Sequence, residues 1–150
     1  LATYAFMVVG AFTVVSMVSG PGSSATSIDS LKGLGKRNPE AAWLMAVLML
    51  GMAGIPFFTG FVGKVLAFTS AANADYVWLV VIGVVTTVIG LAYYLRVILT
   101  MFSSDEGVEL ATLDVSMSAR FAVIIGATVT VVFGVVPWPL LDVVRNALPL

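Results

Sequence analysis

Lys64 is the residue of this 150-residue sequence best placed to do chemistry, because it is the only charged side chain between Glu40 and Asp75. It follows the run Gly51-Met52-Ala53-Gly54-Ile55-Pro56-Phe57-Phe58-Thr59-Gly60-Phe61-Val62-Gly63, which holds four glycines and a proline within thirteen positions. Pro56 has no N–H to give to the carbonyl of Met52 and its ring crowds that carbonyl, while each glycine weakens a helix by up to about 1 kcal/mol. The composition therefore predicts a broken helix, with Gly54, Pro56, Gly60 and Gly63 as the breaking residues. A break inside hydrocarbon is tolerated only where protein or internal water satisfies the freed backbone groups, and such breaks mark transport pathways. A lysine at the bilayer centre costs roughly 2.5–3.5 kcal/mol, so Lys64 is expected to face the protein interior, a buried partner or a hydrated cavity. Desolvation disfavours the charged form of an amine, which equips a lysine in this position to accept and release a proton. The plainer reading is an anchor that snorkels to the interface or pairs with a carboxylate, but an anchor needs no helix break beside it.

Few other residues offer chemistry. Cysteine and histidine are both absent, which removes disulfides, thiolate and imidazole metal sites, and a Ser-His-Asp triad. A proton relay through this chain must then use Lys64, water and hydroxyls, of which Thr59, Thr86, Thr87 and Tyr94 are candidates. The aromatic pairs Phe57-Phe58 and Tyr93-Tyr94 read first as packing or interface belts rather than ligand boxes. Net charge is -1, with no polybasic footprint for nucleic acid.

The elements that must position Lys64 are membrane helices. The chain is 60% hydrophobic and 10% charged, with a mean hydropathy of +1.09, against roughly 25% charged residues in an average soluble domain. About 20 apolar residues span the hydrocarbon, and four segments approach or exceed this: residues 1–19, 41–73 with a break near 54–60, 76–102, and 119–136. The expected fold is an all-α membrane protein of about four transmembrane helices, the second broken. The sequence opens in an apolar stretch at Leu1 without a basic leader, which suggests a fragment of a longer polypeptide rather than a signal peptide.

Three polar connections separate the segments. The first, through Asp29, Lys32, Lys36, Arg37 and Glu40, reads as a solvent-exposed loop. The second, Asn73-Ala74-Asp75, is a tight turn that makes its flanking helices antiparallel neighbours. The third carries Asp105, Glu106, Glu109 and Asp114. Basic residues favour the cytoplasmic side; Lys32, Lys36, Arg37, Arg96 and Arg120 gather on one side and Arg145 on the other, which places both long loops in the cytoplasm and the C-terminus outside. Gly126, Thr130 and Gly134 repeat every four residues and form a small-residue groove for a neighbouring helix. Gly83 and Gly90, with Thr86 and Thr87 nearby, read likewise as packing positions.

Together the runs Gly33-Leu34-Gly35-Lys36-Arg37-Asn38-Pro39, Met52-Ala53-Gly54-Ile55-Pro56, Gly60-Phe61-Val62-Gly63-Lys64 and Ala92-Tyr93-Tyr94-Leu95-Arg96-Val97, with Tyr4 and Gly10-Ala11-Phe12, resemble the C-terminal part of the subunit N family of NADH-quinone oxidoreductases (complex I). The resemblance covers essentially the whole chain. That family belongs with subunits L and M and the multisubunit Na+/H+ antiporter subunits in one antiporter-like family; subunit M typically carries glutamate where Lys64 stands, while the nearest of the Na+/H+ antiporter subunits can show a similar Gly-Phe-x-Gly-Lys run. The resemblance implies the last four of about fourteen helices, with Lys64 as the terminal lysine of a proton half-channel in a bacterial cell membrane. It implies other complex I membrane subunits and the lipid bilayer as partners. It implies no cofactor in this chain, with NADH, FMN, iron–sulfur clusters and quinone in other subunits. The alternatives are a Na+/H+ antiporter subunit and a scaffold portion with no transport role. Phe57 departs from the many relatives that carry a second proline there.

Overall fold

The computed structural model describes residues 2–19, 27–103, 116–139 and 142–143. Its elements are all helical: α1 (Ala2–Ser19), a 3-10 turn (Ile28–Leu31), α2 (Leu34–Arg37), α3 (Pro39–Ala53), α4 (Thr59–Asn73), α5 (Val77–Phe102) and α6 (Met117–Val135). Residues 104–115, which carry the acidic connection, and Arg145 lie outside the described residues.

Local chemistry accounts for the helix ends. The Asn38 side chain accepts the Ala41 N–H at 3.1 Å, Pro39 takes the first helical position of α3, and Glu40 sits in its first turn, where an anion favours the helix dipole. Ser116 caps α6 the same way, accepting the Ala119 N–H at 3.3 Å. Between α4 and α5 the chain reverses through Ala74 and Asp75, the latter at φ 62, a left-handed conformation that aspartate tolerates better than most residues.

Side-chain registers give the topology. A Cβ on Gly10 would meet Leu48, and one on Gly51 would meet Met7 Sδ at 2.9 Å, so α1 and α3 are antiparallel. Gly126 of α6 lies against the Phe6 carbonyl of α1, and Arg120 of α6 forms a two-pronged ion pair with Glu40 of α3 at 2.8 and 2.6 Å, so α6 runs parallel to α3. Helix α5 returns along both α4 and α3: Gly83 packs under the Phe68 ring, and Phe102 stacks at 5.1 Å, tilted, on Trp43. Gly83 and Phe102 are about 28 Å apart along α5 at 1.5 Å per residue, so α3 and α4 lie in succession along one helix.

The core belongs to α1, α3, α6 and the last turns of α5, where Met7, Val14, Met45, Leu48, Met101, Val123 and Thr130 are fully buried. Small residues lie between them, including Ala42, Ala46, Gly51, Gly126 and Ala127. Where the surroundings are as apolar as the interior, close van der Waals approach rather than water release holds helices together, and small residues permit it. The outward faces of α5 and α6 are apolar; Val81, Val85, Val88 and Ile89 are more than half exposed. Helices α5 and α6 are each long and apolar enough to cross a membrane, whereas the apolar stretches Thr3–Val18 and Pro39–Ala53 are shorter.

The first connection is not simply an exposed loop. Its polar residues Asp29, Lys32 and Lys36 face outward, but Leu31 and Leu34 are buried in the core. The Arg37 guanidinium donates to the Ser30 carbonyl at 2.9 Å and the Lys32 carbonyl at 3.2 Å, which folds this segment back on itself. Two leucines three positions apart are enough to draw a polar-looking segment onto the helices.

Candidate site at the interruption between two helices

Helix α3 ends in a defined way. Gly54 sits at φ 80, its N–H bonds the Gly51 carbonyl at 3.1 Å, and the Ile55 N–H bonds the Leu50 carbonyl at 3.3 Å. This is the pattern in which a left-handed glycine closes a helix C-terminus, and it satisfies the carbonyls of Leu50 and Gly51. The carbonyls of Met52 and Ala53 are left over. Lys64 takes both: its Nζ donates to the Ala53 oxygen at 2.7 Å and to the Met52 oxygen at 3.3 Å. The positive φ favours glycine at Gly54, and a Cβ there would meet Lys64 Cδ and Nζ at 2.8 Å, so any side chain would push the lysine aside.

The chain then turns within residues 54–58. The Phe58 N–H bonds the Ile55 carbonyl at 3.3 Å, with Pro56 in the second position and Phe57 at φ 77 in the third. This is a type II turn, in which proline suits the second position and the third demands positive φ. Helix α4 starts at Thr59 without a side-chain cap from Phe58. Instead the Thr59 hydroxyl, 4% exposed, donates to the Thr130 carbonyl at 2.8 Å and approaches the Val129 carbonyl at 3.3 Å.

Helix α6 lies along the whole interruption. The Thr130 hydroxyl bonds back to the Gly126 carbonyl at 2.7 Å, which turns its methyl toward Gly51 of α3. One turn later a Cβ on Gly134 would strike the Phe57 oxygen and the Phe58 backbone. Gly60 faces the Gly51 carbonyl so closely that any Cβ there would overlap it.

The expected site residues thus divide. Lys64, Gly54, Pro56, Thr59 and Gly60 come together around the interruption. Gly63, expected among the breaking residues, lies instead within α4, with nothing within 4 Å of a Cβ placed there. The difference has a physical reason: Gly54, Pro56 and the turn at Phe57 already interrupt the helix, and the chain resumes helical geometry at Thr59, so Gly60 too lies within α4. Thr86 is committed to its own helix, donating to the Ile82 and Gly83 carbonyls at 3.0 Å each. Thr87 is half-buried on α5, and Tyr94 packs against the core with Tyr93 edge-on at 5.9 Å. Sequence reasoning missed the Met52 and Ala53 carbonyls, which as main-chain groups leave no residue signature, and took Thr130 for packing alone.

Hydrogen bonds to a charged group contribute about 1.5–3 kcal/mol each, so two of them offset the roughly 2.5–3.5 kcal/mol cost of an ammonium at membrane depth. The carbonyl end of a helix adds about half a negative charge. Both acceptors of the Lys64 amine named here are main-chain oxygens at the end of α3.

The all-helical apolar fold is that of an antiporter-like membrane subunit. The family model described as "NADH:quinone oxidoreductase/Mrp antiporter, TM" matches residues 1–90, and the chain belongs to that family. Similar proteins include the NADH-quinone oxidoreductase subunit N of Acidothermus cellulolyticus, 39% identical over 99% of this chain and 29% of the relative. That of Chromohalobacter salexigens is 40% identical over 97% of this chain and 32% of the relative. A chain of respiratory complex I from Thermus thermophilus, solved with bound aureothin, superposes with a TM-score of 0.75 at 28% identity, covering 90% of this chain and 31% of that one. The chain therefore spans about a third of the length of these relatives.

Proposed function

We propose that this chain is the C-terminal part of a proton-translocating membrane subunit of an NADH-quinone oxidoreductase, and that Lys64 carries a proton at an interruption in the second of four membrane crossings. The crossings are α1, α3 joined to α4, α5 and α6. The observation that carries the reading is the Lys64 amine held by the Ala53 and Met52 carbonyls where α3 stops. The end-to-end placement of α3 and α4 along α5 supports their forming one interrupted crossing. In this reading NADH, FMN, iron–sulfur clusters and quinone belong to other subunits, and quinone reduction there drives Lys64 between its ammonium and amine forms. Neighbouring membrane subunits and lipid cover the apolar outer faces of α5 and α6. The protein sits in the bacterial cell membrane with its C-terminus outside.

Replacing Lys64 by alanine in the full-length subunit, within the assembled complex, tests this. Proton translocation per electron is expected to fall while NADH oxidation by the complex persists. An unchanged ratio overturns the proton-carrier role and leaves a scaffold. The family also takes in Mrp antiporters. Sodium-dependent exchange lost on Lys64→Ala, without dependence on NADH, would move the chain to that class.

A further inference from the structure

We propose that Thr59 is a positioning residue whose hydroxyl tethers α4 to α6 and so holds Lys64 against the end of α3. The inference rests on the reading of Lys64 given above and adds the device that places it. Thr59 opens α4 and is buried, and its hydroxyl reaches a main-chain carbonyl of α6, at Thr130, 2.8 Å away. A carbonyl inside a helix has a second lone pair after its helical bond, so it can accept this extra donor without releasing the first.

Thr130 is fully buried and holds both sides of the interruption. Its methyl faces Gly51 of α3, because its own hydroxyl is turned back to the Gly126 carbonyl, and its carbonyl receives Thr59 of α4. Gly134, one turn on, leaves room for the backbone of Phe57 and Phe58 against α6. Helix α6 is therefore a splint laid across the gap. Lys64 lies just over one turn after Thr59, so the first turn of α4 sets where its stem begins. Its Nζ then meets the Ala53 carbonyl at 2.7 Å. A hydroxyl committed in this way positions the amine and does not relay its proton.

Valine has the shape of threonine without the donor, and serine keeps the donor without the methyl. In the full-length subunit within its complex, Thr59→Val is expected to slow proton translocation roughly threefold to tenfold, the effect of a single hydrogen bond, and to shift its pH profile, with the amount of assembled complex unchanged. Thr59→Ser is expected to restore both. Gly134→Ala, which pushes on Phe57 and Phe58 from the same helix, is expected to reproduce the valine phenotype, and the double variant to be no worse than either alone, because both act through one geometry. The solvent deuterium isotope effect on translocation is expected to be the same in Thr59→Val as in the parent. Normal translocation in Thr59→Val where Lys64→Ala abolishes it would overturn the tether and leave the proton carrier standing. A changed isotope effect, or failure of serine to rescue, would make Thr59 a relay or a plain packing residue. If Lys64→Ala itself changes nothing, it is the function proposed above that fails.

Discussion

Phe57 stands at φ 77, a left-handed conformation that costs a residue with a Cβ about 1–2 kcal/mol. Phe57 is 75% exposed, so little side-chain packing against the described residues offsets that strain. The third position of a type II turn favours glycine. Phe57→Gly is thus expected to leave the temperature of half-inactivation of the assembled complex unchanged or slightly raised. Phe57→Pro is expected to lower it sharply, because proline fixes φ near -65° and cannot hold this turn. Equal tolerance of both substitutions would show that the turn is not built with a positive φ at position 57. A chain with proline at 57 needs a different backbone path through the interruption, so the departure at Phe57 concerns geometry as well as residue type.

At the scale of the helices, the two glycines of α4 have opposite surroundings. Gly60 presses against the main-chain oxygen of Gly51, which cannot swing aside as a side chain can, while Gly63 faces open space. Gly60→Ala is expected to force α3 and α4 apart at a cost of about 1–3 kcal/mol, as overpacking does, and to reduce proton translocation. Gly63→Ala is expected to keep translocation and to strengthen α4 by up to about 1 kcal/mol. Measuring the proton-to-electron ratio and the amount of assembled complex for each variant checks the pair; equal loss in both would mean that the half-helices do not meet at Gly51. The contrast also shows what sequence could and could not give. Helices α5 and α6 lie on strongly apolar runs bounded by Ser103, Ser116 and Pro137, with one arginine in each. Pro56 and Gly54 lie between α3 and α4 and act through local backbone chemistry, which a sequence carries directly. Gly63 was not separable from Gly60, because what distinguishes them is the approach of a carbonyl nine residues earlier in the chain. Leu31 and Leu34 were hidden by the polar average of their segment. The partners of Lys64 were illegible for a deeper reason: main-chain oxygens are present at every position, and only the fold decides which two are left without a helical donor.

The molecule as a whole has two unlike ends. Glu40 and Arg120 pair where α3 and α6 begin, and Phe102 closes α5 against Trp43 beside the segment that carries Lys32, Lys36 and Arg37. The opposite end holds the α4–α5 turn with Asp75. The Glu40–Arg120 pair is about half exposed on both sides and contributes under about 1 kcal/mol, so it marks an interface with water more than it holds the bundle together. Gathering these cations at one end agrees with the bias of lysine and arginine toward the cytoplasm, and it is the basis of the orientation proposed for the subunit. This chain has no cysteine, so single cysteines can report sidedness here once any in the rest of the subunit have been replaced. A membrane-impermeant maleimide applied to Lys36→Cys is expected to react in inside-out vesicles and not in intact spheroplasts, and applied to Asp75→Cys to do the reverse. Labelling of both from the same side would mean that α3 and α4 do not together make one crossing, and the lysine at their junction would lose the membrane depth on which its proposed role depends. Labelling with the sides exchanged would keep the interrupted crossing and invert the subunit, so that a proton leaving Lys64 toward the α4–α5 turn would enter the cytoplasm instead of leaving it.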